Sequence, residues 1–167
     1  ADAVVEATET ATLNLGAVSN TAGVTTITDG SGLLTINDND SAVVTFNPVS
    51  VSQTEAMSPM AFTVTLSNPV QSGVSLTLTS ATGTATAPAD FTAITAGTVS
   101  FPANSNTTQT VNVAIANDAL DEDDESFTLT LSGLAATGSV TLDSATATGI
   151  VQDDDALPAL SVANVSQ

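Results

Sequence analysis

The chain has no Lys, no Arg and no His. It also has no Cys, no Trp and no Tyr, and its aromatics are 3% of the residues, all Phe. Each absence excludes something. Without cationic side chains nothing neutralises phosphate, so nucleic-acid binding is excluded. An anionic membrane surface repels a chain whose 18 Asp and Glu give a formal net charge of -18. Catalysis that needs His, Lys, Cys or an Arg clamp has no residues to work with, and the chain reads as a non-enzyme. No disulfide or thiolate metal site is available. No apolar run reaches the length of a membrane span. The first residues show no basic region followed by an apolar stretch, so no leader pattern is read there.

What is present is short, apolar and β-branched. Hydrophobic residues make up 42% of the chain, too many for disorder in spite of the charge. Val, Ile and Thr in quantity suit pleated surfaces. Period-two alternation recurs along the chain. It appears at Val43–Phe46, Val49–Val51, Ala61–Leu66, Val74–Thr79, Gly97–Phe101, Thr110–Ile115, Phe127–Ser132 and Ala145–Val151. Gly83–Ala87 reads as small and extended. Phe62, Val64 and Leu66 share one face, as do Val111, Val113 and Ile115. Phe46, Phe62, Phe101 and Phe127 alternate with polar residues and are assigned to the core. No window carries a capped helical stripe. The pattern predicts an all-β chain folded as an antiparallel, immunoglobulin-like β-sandwich of about seven strands.

The chain also repeats itself. Asn117–Leu131 aligns with Ala1–Leu15, pairing Asp2 with Asp118, Glu6 with Glu122 and Glu9 with Glu125. Asn37-Asp38-Asn39-Asp40 aligns with Gln152-Asp153-Asp154-Asp155, and Val51-Ser52-Gln53 with Val165-Ser166-Gln167. The period is about 114 to 116 residues. Residues 1–40 then read as the last part of a preceding unit, 41–155 as a complete unit, and 156–167 as the first strand of a following one. Half a sandwich leaves its apolar face and strand edges open. The chain is therefore expected either to be part of a tandem array or to be completed by copies of itself end to end.

The acids are clustered. Asp118, Asp121, Glu122, Asp123, Asp124 and Glu125 lead into one predicted strand, and Asp153-Asp154-Asp155 ends another. Glu55 and Asp90 stand alone in neutral segments. A sandwich gathers alternate loops at one end. Carboxylates that converge there repel one another and raise their own pKa values. With no Lys or Arg available, a hard divalent cation is the natural counter-charge; Ca2+ takes about six to eight oxygens at ~2.3–2.6 Å. Paired acids also invite a glycosidase reading, but no aromatic platform is present to hold a sugar. Asn39-Asp-Ser, Asn106-Thr-Thr and Asn164-Val-Ser fit an N-glycosylation triplet that is common by chance.

The order of these pieces resembles the Calx-beta domain, the β-sandwich of Na+/Ca2+ exchanger regulatory regions and of many large bacterial surface proteins. The resemblance covers residues 43–155. It is carried by Val51-Ser-Gln-Thr-Glu55 followed by Phe62-Thr-Val-Thr-Leu-Ser67, and by Gly83-Thr-Ala-Thr-Ala-Pro-Ala-Asp90-Phe91, where the family has Tyr in place of Phe91. Gly97-Thr-Val-Ser-Phe-Pro102 follows, then Asp118-x3-Glu122-x2-Glu125-x-Phe127-x-Leu129-x-Leu131, and finally Thr148-Gly-Ile-Val-Gln-Asp153-Asp-Asp155. The resemblance implies a Ca2+ cluster at one end of the sandwich, with Glu55, Asp90, Asp118, Glu122, Glu125, Asp153, Asp154 and Asp155 as ligands. Asp121, Asp123, Asp124 and Asp143 match no ligand and read as loop charges, with peripheral binding open to Asp123 or Asp124. In the preceding half-unit Asn39 replaces the middle acid and Ala11 replaces Phe127. A site there built on Asp2, Glu6, Glu9, Asp38 and Asp40 needs a further Glu and Asp from an upstream segment.

The expected function is structural: a Ca2+-stiffened repeat of a large secreted bacterial surface protein, adhesin or filament, located outside the cell. The alternatives are a Ca2+-sensing regulatory domain of a transporter and a ligand-binding adhesive module. The lack of Lys and Arg also denies trypsin-type proteases a cleavage site, which suits exposure.

Overall fold

The computed structural model describes residues 2–16 and 29–164. Among them eleven strands and no helix are found. A two-stranded piece comes first, β1 (Glu9–Asn14) and β2 (Ser31–Ile36). Then follow β3 (Ser41–Phe46), β4 (Ser50–Thr54), β5 (Met60–Leu66), β6 (Val74–Thr82), β7 (Gly97–Phe101), β8 (Gln109–Val113), β9 (Glu125–Ala135), β10 (Ser139–Leu142) and β11 (Thr146–Gln152). The last nine form a sandwich. One sheet runs β10-β3-β5-β8 and the other β4-β11-β9-β6-β7.

The alternation seen in the sequence is what closes the sandwich. Every second residue of β5 (Met60, Phe62, Val64, Leu66) is buried, as are Phe127, Leu129 and Leu131 of β9. Val111, Val113 and Ile115 point inward as expected. Phe46, Phe62, Phe101 and Phe127 are core residues, and Phe91 joins them. Phe62 meets Phe46 and Phe127 edge-on at centroid distances of 6.5 and 6.0 Å, and Phe91 stacks on Phe127 at 4.4 Å. Such pairs add about 0.5–1.5 kcal/mol each beyond area burial.

The sandwich has four strands in one sheet and five in the other, more than the expected seven, and two of its pairs are parallel, β10 with β3 and β11 with β4. Pro48 explains the second pair. Proline has no N–H to give a ladder, so the stretch 41–54 breaks at Asn47-Pro48. Its first half stays in one sheet as β3 and its second half crosses to the other as β4. Gly83–Ala87 joins no strand; it bends toward β9, with the Ala85 N–H donating to the Ser126 carbonyl at 2.9 Å. Residues 156–164 lie outside every strand, with Leu157, Leu160 and Val162 exposed. Val165-Ser166-Gln167 falls outside the described residues.

The β1–β2 piece meets the sandwich through Val5. Its N–H donates to Pro69 O and its carbonyl accepts from Gln71 N–H, both at 2.9 Å, and the side chain is fully buried. Gly138, at φ +78°, makes room: a Cβ there would fall 2.5 Å from Val5 Cγ1.

Candidate metal centre

Three chain segments bring the acids to one end of the sandwich. The first is the end of β4. The Glu55 N–H donates to Gln152 O at 3.0 Å, which carries the parallel β4–β11 ladder one step further. Glu55 is thereby held beside the residues that follow β11, namely Asp153 to Asp155. The second is the start of β9, where Glu125 pairs with Val151. The third is a tight turn closed by Asp90 itself. Its N–H donates to Thr86 O at 2.9 Å, while its Oδ2 accepts from the Thr86 N–H at 2.6 Å and the Thr86 hydroxyl at 3.1 Å. The Phe91–Phe127 stack pins this turn against β9. One residue back from Phe91 and two back from Phe127 stand Asp90 and Glu125, so the stack sets these two acids side by side.

One oxygen each from Glu55, Asp153 and Asp155 lies within 4.8 Å of the others. An adjoining hollow is lined by Glu55, Asp90, Glu122, Asp123, Glu125 and Asp153. Asp118 does not line it, but its negative charge bears on both Glu55 and Glu122. Six of the eight sequence-predicted residues are thus brought together, and Asp118 acts on them through its charge. Asp154 does not join them: it is exposed between the half-buried Asp153 and Asp155. Two loop charges lie closer than expected. Asp123 lines the hollow, and Asp124 Oδ1 accepts from the Asp153 N–H at 3.3 Å. Their place in an unbroken acidic run gave the sequence no means of telling them from Asp121.

The electrostatics fit a site built for a cation. Glu55 is 6% exposed, and its Oε1, like Asp155 Oδ2, is buried without a hydrogen-bond partner in the chain. Two carboxylates so placed repel one another, and a proton on one of them or a cation between them offsets that repulsion. Burial first, then the facing carboxyl of Asp155 and the charges of Asp118 and Asp153, push Glu55 up to about 7. Burial, and next the hydrogen bond and charge shared with Asp90, push Glu125 up to about 7 as well. Glu122 is raised by burial and by the charges of Asp118, Asp90, Asp153 and Asp155. An unpaired buried charge is among the costliest features a fold can carry, and the chain has no Lys, Arg or His to offset it. A hard cation with several oxygen ligands supplies what is missing.

A second acidic group sits on the β1–β2 side. Asp2, Glu6, Glu9, Asp38 and Asp40 line one hollow. The Glu6 N–H donates to Asp38 Oδ2 at 3.0 Å and the Asp40 N–H to Asp38 Oδ1 at 3.2 Å. The first of these bonds holds Asp38 below the ordinary carboxylate range, while burial and then the charges of Glu9, Asp2, Asp38 and Asp40 raise Glu6. Among the described residues no counterpart of Glu55 or Asp90 lines it.

The Calx-beta domain model matches residues 37–155. Among solved structures, the apo-form Calx CBD1 domain aligns at a TM-score of 0.62 and 25% identity, over 68% of this chain and 98% of that one. CBD12 from CALX1.2 aligns at 0.62 and 25%, over 68% of this chain and 46% of that one, so this chain spans about half of that one's length. The Calx CBD2 domain, at 0.61 and 13% identity, shares the fold. A search of curated proteins finds no match. The family match takes in β3 to β11 and every acid of the converging cluster, and over residues 37–155 the chain belongs to the Calx-beta domain family.

Proposed function

We propose that residues 41–155 are a Ca2+-binding structural module, one repeat of an extracellular surface adhesin or filament whose neighbouring repeats join end to end. The observation that carries the Ca2+ reading is the pair of buried, partnerless oxygens on Glu55 and Asp155, beside Asp153 and at the edge of a hollow lined by further acids. Every candidate ligand is a carboxylate, the chemistry Ca2+ prefers. A similar structure, CBD12 of CALX1.1, is described as a calcium binding domain. Glu55, Asp153 and Asp155 would hold the cation, with Asp90, Asp118, Glu122 and Glu125 beside them. When bound, the ion supplies positive charge that offsets their mutual repulsion. The structural reading draws support from the internal repeat, from short side chains along the strands, and from the absence of Lys and Arg.

Thermal melting with millimolar Ca2+ and with chelator tests the site. Millimolar Ca2+ over a Kd near ~10⁻⁴ M is about tenfold in excess and adds ~1.4 kcal/mol per site, an upward shift in Tm. Replacing Glu55 by Gln and Asp155 by Asn removes most of it. A melt unmoved by Ca2+ overturns the reading. Affinity separates the structural role from the alternative of a transporter sensor: Kd near ~10⁻⁴ M suits a module filled outside the cell, and Kd below ~10⁻⁶ M suits a sensor.

A further inference from the structure

The β1–β2 pair has the register of β9–β11, residue for residue. Glu9 faces Ile36, Ala11 faces Leu34, Leu13 faces Gly32 and Asn14 faces Ser31. Under the internal repeat these become Glu125 facing Val151, Phe127 facing Gly149, Leu129 facing Ala147 and Thr130 facing Thr146, which is the β9–β11 pairing. At the second of these pairs the sizes are exchanged. Phe127 lies over Gly149, where a Cβ would collide with its ring, whereas Ala11 lies across from Leu34. A large residue opposite a small one is kept while the two strands trade places, which is how a packed layer conserves volume.

That layer has no cover in the β1–β2 piece. Leu13, Leu34 and Ile36 are 72%, 59% and 50% exposed, while their counterparts Leu129 and Val151 are 0% and 6% exposed. In the complete unit the cover is supplied within residues 41–116: Phe62 packs on Phe127, and Met60 Sδ lies 3.0 Å from where a Cβ of Gly149 would stand. The same segment carries Glu55 and Asp90, the two acids without counterparts around Asp2, Glu6, Glu9, Asp38 and Asp40. One missing segment accounts for both the bare apolar face and the shortened acid set.

We propose that the β1–β2 face is the acceptor for a segment equivalent to residues 41–116 from a further repeat of the same kind, which closes over it as a second sandwich. The proposal rests on the repeat reading of residues 1–40 and not on Ca2+. The test is therefore run in chelator, so that its failure is distinct from failure of the metal site. A copy of residues 41–116 is placed before the full chain, and amide hydrogen exchange is read at residues 9–14 and 31–36. Closure slows these amides on the order of 100-fold, into the range of packed core strands; a scrambled segment of the same composition leaves them fast. Ala11→Phe or Leu34→Gly alone lowers the protection, and the two together restore it. The double variant also recreates the Phe127–Gly149 pair that this segment covers in the complete unit, so it gives the added segment its native surface. Fast exchange in both the simple fusion and the double variant, with β3 to β11 still protected, overturns the proposal. Equal protection by the scrambled segment does so as well.

Discussion

Glu55 and Asp155 face each other across the end of the β4–β11 ladder, each with a buried oxygen that no group in the chain hydrogen-bonds. Such a pair destabilises the cation-free protein and serves it only when a cation arrives. Glu55→Gln should therefore act in opposite directions. In chelator at pH 8 it relieves like-charge repulsion and raises Tm by several degrees, since 1 kcal/mol is worth about 2–8 °C in domains of this size range. In millimolar Ca2+ it lowers Tm below that of the parent. Paired melts read both effects, and a fall in chelator would mean that Glu55 is stabilising by itself.

The same geometry sets the pH dependence. Glu55 and Glu125 titrate near 7 in the folded protein, against an ordinary value of 4.5. The folded state thus binds their protons more tightly than the unfolded chain. Stability from these groups is fully present below about 4.5 and is lost as pH rises through about 7. In chelator, Tm should fall between pH 5 and pH 8. Ca2+ competes with the protons, so the Tm shift it produces should be small at pH 5 and full at pH 8. A chelated protein that melts higher at pH 8 than at pH 5 contradicts this assignment.

Gly149 is required by the ring that covers it. A Cβ there would run into Phe127, a fully buried ring that also packs on Phe62 and Phe91 and cannot swing away. Gly149→Ala is expected to cost about 1–3 kcal/mol by overpacking, and Phe127→Ala about 3–5 kcal/mol by cavity formation. The exchange Phe127→Ala with Gly149→Leu, which copies Ala11 and Leu34, should cost less than Phe127→Ala and Gly149→Leu made singly and added together. Urea unfolding of the four proteins measures the coupling; strict additivity would mean that the two positions do not share one volume.

The extent to which the site was legible follows from the kind of pattern each residue belongs to. Phe62, Val64 and Leu66, or Val111 and Val113, declare their facing by alternation, because a strand allows each side chain only two directions. Glu55 and Asp90 stand out because each is a lone acid in a neutral stretch. Within Asp121–Glu125 and Asp153–Asp155 charge alone gives no direction, since every residue has the same sign. Which acids turn inward there depends on register: Glu125 is fixed by its pairing with Val151, whereas Asp154 falls on the exposed side between two inward neighbours. The crossing of β4 to the other sheet was equally hidden. Pro48 marks the break in the ladder, but the destination of the chain beyond it is decided by long-range pairing with β11.

Val5 sets the junction between the β1–β2 piece and the sandwich. It is fully buried, bonded by its backbone to Pro69 and Gln71 and seated against Gly138. At the corresponding position of the complete unit stands Asp121, which is exposed. Val5→Asp would put a carboxylate into an apolar seat in a chain with no cation to pair it, a change whose cost is large wherever the side chain stays buried. The cheaper outcome is for the acidic stretch around Glu6 to leave its seat while β3 to β11 stay folded. A protease that cleaves after Glu should then cut at Glu6 and Glu9 at least about tenfold faster, because cleavage tracks the population of the open state. The main melting transition should move little, as no core residue of β3 to β11 is altered. Unchanged cleavage would show that Val5 is not what holds the junction, and a large loss in the main transition would show that the seat is part of the sandwich's own stability.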